Sequence, residues 1–359
     1  MILTILAWAC TRDRPPADAP GRLIRAQQVE SVPGIRVWQV LYHSRSVDNR
    51  PIQVSGLVLA PEEGSEPASR TVVAWGHGSE GLGDQCAPSR FPVENAKLPI
   101  LRELVARGYV IAATDYEGLG TPGIHPWLVG QSEGRGMLDA VRAAGEIKDT
   151  GASKRFVALG VSQGGGAALF AGELRPAYAP DLELLGVVAV APAAELVALA
   201  SQRTTAFFGA TVMGVFGFSA AYPELPVGAI LAPEVIAQRD WVENQCAEQI
   251  IQRFRGVPLE LLRADPGSVA SWTAVLTLNT PGNTATLKPV LVIHGDRDEV
   301  VPFAVSEVLI QRLCSKGVTA ELRRYQRADH ASVILEAQEE ITSWIDERSK
   351  GSSAASSCR

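Results

Sequence analysis

Five short, almost uninterrupted apolar runs constrain this chain more than any other feature: residues 71–75, 109–114, 156–159, 185–190 and 290–293. Each is too short for a buried helix, stops close to Gly, Asp or Pro, and lacks the alternation of a strand with one wet face. Strands apolar on both sides belong inside a parallel sheet with helices on either face. The intervening segments supply those helices. Residues 98–107, 133–148 and 303–316 carry helical spacing, and the last is bracketed by Pro302 and Gly317, a start and a stop signal. Residues 35–43 and 52–60 alternate apolar and polar, which reads as an antiparallel pair at the sheet edge, and 320–325 as a final strand. The expected class is α/β, a mostly parallel, doubly wound sheet.

One stretch breaks the pattern. Residues 195–287 contain no strand–helix unit although the strands on either side should be neighbours, so they are expected to form a cap or lid over the carboxyl ends of the strands. Within them, 204–223 has no charged residue and is long enough to invite a transmembrane reading, but Gly209, Gly214 and Gly217 and the moderate hydrophobicity favour an apolar lid segment. The expected division is 1–21 export segment and linker, 22–194 and 288–348 two parts of one core, 195–287 cap, and 349–359 a Ser/Gly/Ala-rich mobile tail. The apolar start followed by a proline-rich polar stretch resembles a signal segment without a positive n-region, and Ala7-Trp8-Ala9-Cys10 loosely resembles a lipoprotein cleavage box. The chain is therefore expected to be secreted or held in the cell envelope, in the latter case through Cys10.

A formal net charge of -6 leaves no basic face for nucleic acid or anionic lipid. With Cys10 set aside, Cys86, Cys246, Cys314 and Cys358 allow three pairings between which the sequence does not choose; Cys86–Cys246 with Cys314–Cys358 is the expected set. No Cys/His spacing favours a metal site, and no cofactor is called for.

The run 156–159 leads into Gly160-Val161-Ser162-Gln163-Gly164, followed by small residues through Ala168. A serine on a sharp strand-to-helix turn needs small neighbours because backbone must approach closely there. Such a hydroxyl needs a base and an acid that orients it. Of five histidines only His330 follows both the last apolar run and an acid, while His294 ends a buried strand and reads as a structural residue. In Gly295-Asp296-Arg297-Asp298-Glu299-Val300-Val301-Pro302 the spacing puts the acid at Asp298, with Asp296 a turn residue bonding its own backbone and Asp329 a loop residue. The order Ser162, Asp298, His330 is that of the α/β-hydrolase fold. The oxyanion hole is expected to use the backbone N–H of Gln163 and a second donor from either the Gly76–Ser79 loop or Asp115.

The segments His77-Gly78-Ser79-Glu80-Gly81, Cys86-Ala87-Pro88-Ser89, Thr114-Asp115-Tyr116-Glu117-Gly118-Leu119-Gly120-Thr121-Pro122-Gly123, His125-Pro126 and Ser132-Glu133-Gly134-Arg135 resemble the secretory lipase family of α/β-hydrolases. The resemblance implies a lid inserted before the acid strand and hydrolysis of carboxylic esters, acylglycerols included. It carries Ser162, Asp298 and His330 onto the family's triad, and Asp115 with Gln163 onto its oxyanion hole. An aspartate there would donate through its backbone N–H or a protonated carboxyl. Pocket candidates are His77, Ser79, Tyr116, His125, Phe208 and Phe216. The expected activity is that of a serine hydrolase on short to medium acyl esters, with acyltransferase, peptidase or polyester hydrolase as alternatives. Its expected partner is a small-molecule or lipid ester, with transient contact at a lipid interface; the oligomeric state is not legible.

Overall fold

The computed structural model describes residues 16–63 and 68–358, so Cys10 and the signal-like segment lie outside the described residues. Nine strands form one sheet: β1 (Leu23–Gln28), β2 (Ile35–Arg45), β3 (Pro51–Pro61), β4 (Arg70–Gly76), β5 (Val110–Thr114), β6 (Ala152–Val161), β7 (Glu183–Val190), β8 (Val290–Gly295) and β9 (Ala320–Tyr325). Their order is β1-β2-β3-β5-β4-β6-β7-β8-β9. The pairs from β5 through β9 are parallel, and β1, β2 and β3 extend the sheet antiparallel. The apolar runs are the buried parallel strands, as two-faced burial requires. The additional edge strand β1 had no readable signal, because its side chains are mostly exposed and nothing forces alternation on them.

Two apolar layers cover the faces. Helices Gly130–Glu146, Gln163–Tyr178 and Ala304–Ser315 pack on one side; Pro99–Ala106 and Gln338–Ser349 pack on the other. Gly317, at φ 74°, ends Ala304–Ser315 in the left-handed conformation that glycine adopts without strain.

Between β7 and β8 the described chain is helical and has an apolar core of its own. Phe208, Phe216, Ile230, Phe254 and Trp272 are fully buried there, each worth about 2–5 kcal/mol on truncation to alanine. No helix among the described residues is long and apolar enough to cross a membrane; the uncharged stretch forms the helix Phe208–Ala221 of this cap.

Two disulfides, Cys86–Cys246 and Cys314–Cys358, make the expected pairing. The first ties the cap to the loop after β4, where Leu82 and Gly83 N–H both donate to Gln245 O and Ala247 N–H donates to Glu80 O. The second corrects the expectation of a loose tail. Ser357 N–H donates to Ala320 O at 2.8 Å, and Leu322 N–H to Ser357 Oγ at 3.1 Å. The tail thus lies on the outer edge of β9, whose unpaired backbone groups need partners.

Candidate active site

β6 ends at Ser162, which sits at φ 57°, ψ −118° and opens the helix Gln163–Tyr178. Such a conformation costs about 1–3 kcal/mol for a non-glycine residue and persists only where surroundings enforce it. Here Ser162 N–H donates to Val190 O at 2.8 Å, and its carbonyl accepts from Gly165, Gly166 and Ala193. The neighbouring glycines are required by space: a Cβ on Gly160 would lie 2.0 Å from Gly164 O, and one on Gly164 2.0 Å from Gly76 O.

Ser162 Oγ lies 2.9 Å from His330 Nε2, and His330 Nδ1 lies 2.6 Å from Asp298 Oδ2. These partners assign the tautomer: Nδ1–H donates to the carboxylate, leaving the Nε2 lone pair for the serine hydroxyl. Asp298 Oδ1 accepts from the backbone N–H of Val300 and Val301 at 2.9 and 2.8 Å. Burial works to raise the Asp298 carboxyl, but hydrogen bonds from His294 and His330 outweigh it and hold the group well below the usual carboxylate range. It is therefore ionised wherever His330 is needed as a base.

Asp296 does not bond its own backbone. Its carboxylate accepts from Arg327 N–H at 2.6 Å and pairs with Arg324, which stitches the end of β8 to the loop that carries His330. Asp329 takes the N–H groups of Ala331 and Ser332 and stays a loop residue.

The backbone N–H of Gln163 has no acceptor among the described residues, and neither has that of Ser79. A Cβ placed on Gly78 would stand 3.9 Å from Ser162 Cβ, so the Gly78–Ser79 loop borders the serine. Asp115 does not fit the oxyanion role. Its N–H donates to Ser55 O at 2.9 Å, and its carboxyl is engaged by Ser55 Oγ at 2.6 Å and Ser89 N–H at 2.9 Å, away from the cavity wall. Burial does push that carboxyl up, but the group fastens β3 to the loop holding Cys86 and has no donor left to offer.

The profile of the secretory lipase family matches residues 93–357. The chain belongs to that family. It is 25% identical to lipase A of Arthroderma benhamiae over 96% of this chain and 76% of that one, and 25% identical to a secreted triacylglycerol lipase of Malassezia globosa over 89% and 74%. Candida antarctica lipase A has the same fold at 20% identity, with a TM-score of 0.82 over 95% of this chain and 84% of that one. The rice cell wall degrading esterase LipA of Xanthomonas oryzae superposes with a TM-score of 0.79 at 18% identity, over 93% and 100%. The chain is thus a lipase/esterase-family hydrolase with an α/β-hydrolase fold.

In this member of the family Ser162 and His330 open onto a cavity of about 370 Å³ under the cap, walled mostly by apolar side chains. Of the six pocket candidates only Ser79 lines it. Phe208 and Phe216 pack in the cap core, Phe208 stacking on Phe254, whereas Phe207, Ala210, Thr211, Met213, Gly214, Val215 and Phe218 of the same segment line the cavity. The segment is apolar all round, so which of its residues reach the cavity cannot be read from its periodicity.

His77, Tyr116 and His125 stand behind the site as a column of rings, with centroids 4.5 and 5.7 Å apart. Burial pushes the His125 imidazole down to about 3, so it is neutral. Trp127 and Glu133 went unassigned in the sequence, and His294 was read only as structural. Trp127 lines the cavity and donates from Nε1 to Ser79 Oγ at 2.9 Å. His294 touches the acid Asp298 at 3.1 Å, a contact hinted at only by its position four residues before it. Glu133 bonds the side chain of Gln163 at 2.8 Å; its one signal was its place in Ser132-Glu133-Gly134-Arg135, one of the segments that carry the resemblance.

Proposed function

We propose that the chain hydrolyses uncharged carboxylic esters of short to medium acyl length, acylglycerols included, through an acyl-enzyme on Ser162. The observation that carries this reading is the continuous contact from Asp298 through His330 to Ser162 Oγ, opening into an apolar cavity. His330 Nε2 takes the serine proton as Oγ attacks the ester carbonyl, and the imidazolium is balanced by Asp298. The developing oxyanion is met by the N–H groups of Gln163 and Ser79, with the Ser79 hydroxyl as a third donor. The alcohol leaves with the proton from His330, and water repeats the sequence on the acyl-enzyme.

The cavity volume of about 370 Å³ falls at the small end of ligand pockets and supports acyl chains of limited length. Two disulfides and the secreted relatives support action outside the cell, where such bonds persist. Rapid mixing with a p-nitrophenyl ester tests the reading: a burst stoichiometric with enzyme is expected, and none from Ser162→Ala. Burst-free turnover that survives this substitution would reject the mechanism.

A further inference from the structure

One buried carboxyl joins the oxyanion residue to the wall of the acyl cavity. Glu133 lies in the first turn of helix Gly130–Glu146, and its Oε1 accepts from the Leu128 backbone N–H at 2.8 Å and from Gln163 Nε2 at 2.8 Å. The other proton of Gln163 Nε2 goes to His125 Nε2 at 2.8 Å, and His125 Nδ1–H is held by Glu117 O at 2.8 Å. Ser132 Oγ bonds the Glu117 carboxyl, so the ring closes one residue from Glu133. Ser132, Glu133, His125 and Gln163 are all buried.

Leu128, at φ 64°, occupies the left-handed region in which the Cβ of a leucine crowds the backbone. Its bond to Glu133 is one of the restraints that keep it there. Trp127 and Leu128 both line the cavity, and Trp127 also reaches Ser79. Burial pushes the Glu133 carboxyl up to about 8, against bonds from Gln163 and Leu128 that lower it. The joint therefore holds a neutral acid at neutral pH, which an amide reproduces.

We propose that Glu133 is a positioning residue that couples Gln163, through its side-chain amide, to the Trp127–Leu128 wall, so that oxyanion stabilisation by the Gln163 backbone N–H and acyl-length recognition change together. This rests on the reading of Ser162 as the acyl-transfer nucleophile. Removing the carboxyl takes from two buried donors, Gln163 Nε2–H and Leu128 N–H, the one oxygen they share.

The test uses the full chain, p-nitrophenyl butyrate, octanoate and laurate, and fluorophosphonate titration to count reactive Ser162. Glu133→Ala is expected to lose about tenfold or more in kcat on every ester and to shift the preferred acyl length, with Glu133→Gln restoring both to within about threefold. Gln163→Leu, which keeps the backbone N–H and the Glu133–Leu128 bond, is expected to lose kcat but keep the length preference. It also carries the test if Glu133→Ala does not fold: an unchanged kcat in Gln163→Leu would overturn the joint. So would a folded Glu133→Ala that keeps both properties, or a Glu133→Gln as impaired as the alanine variant. Turnover surviving Ser162→Ala would instead overturn the acyl-enzyme reading beneath it, which separates the two failures.

Discussion

His294 Nε2 stands 3.1 Å from Asp298 Oδ2, the same oxygen that holds His330 at 2.6 Å. His294 Nδ1 is in turn 2.7 Å from Ser306 Oγ, and Nε2 is 2.8 Å from Val301 O. The Nε2–H therefore points between the carboxylate and a carbonyl, and the ring is fixed from both ends. His294→Ala is expected to lower kcat about tenfold with little change in KM, as loss of one buried hydrogen bond to a charged group implies. Steady-state kinetics beside thermal melts will decide: a lower Tm with unchanged kcat would leave His294 a packing residue only.

Ser79 Oγ accepts from Trp127 Nε1, which leaves its own hydroxyl proton to turn toward the cavity. Ser79→Ala keeps the backbone donor and is expected to reduce kcat about 10- to 100-fold. Trp127→Phe removes only the orienting bond and is expected to act more weakly in the same direction. Because both changes act on one proton, the double variant should fall short of the product of the two. Full additivity in that cycle would separate the residues.

Glu173, in the helix that Ser162 opens, accepts from Gly282 and Thr284 N–H at the end of the cap. Burial raises its carboxyl to about 7, against those two bonds. The folded state then binds a proton the unfolded state has already lost, so stability declines as pH rises from the ordinary carboxyl range through about 7. Glu173→Gln does not titrate. Tm measured across that window is expected to fall more steeply for the wild type, and parallel curves would refute the assignment.

Ala210 lines the cavity on the helix Phe208–Ala221. Ala210→Phe fills the volume that longer acyl chains need, and each buried methylene is worth about 0.8 kcal/mol. The ratio of kcat/KM for p-nitrophenyl laurate over butyrate is expected to drop about tenfold or more, with butyrate turnover little altered. A ratio that does not move would place the acyl chain elsewhere.

Much of this arrangement was readable from residues alone. Runs apolar on both sides have one comfortable place, inside a parallel sheet, and Gly160, Ser162 and Gly164 admit one turn geometry. Where an element could face either way, local pattern was silent. The helix Phe208–Ala221 is apolar on all sides, so only packing of Phe208 and Phe216 into the cap core turned Ala210 and Gly214 to the cavity. Asp115 sat in the motif that suggested an oxyanion donor, yet its N–H is taken by Ser55 across the sheet.

The sequence by itself determined the succession of buried strands along the chain, the turn that exposes Ser162 and the resemblance to the family. The first two follow from local sterics and from where apolar side chains can be buried, the third from the motifs around His77, Asp115 and Glu133. Tertiary structure alone decided which loop borders the serine, which face of the cap helix lines the cavity, and that Glu133 reaches both Gln163 and Leu128. Each of these depends on which buried donor finds which acceptor after the cap has closed on the sheet, a competition among distant residues that periodicity along the chain does not record.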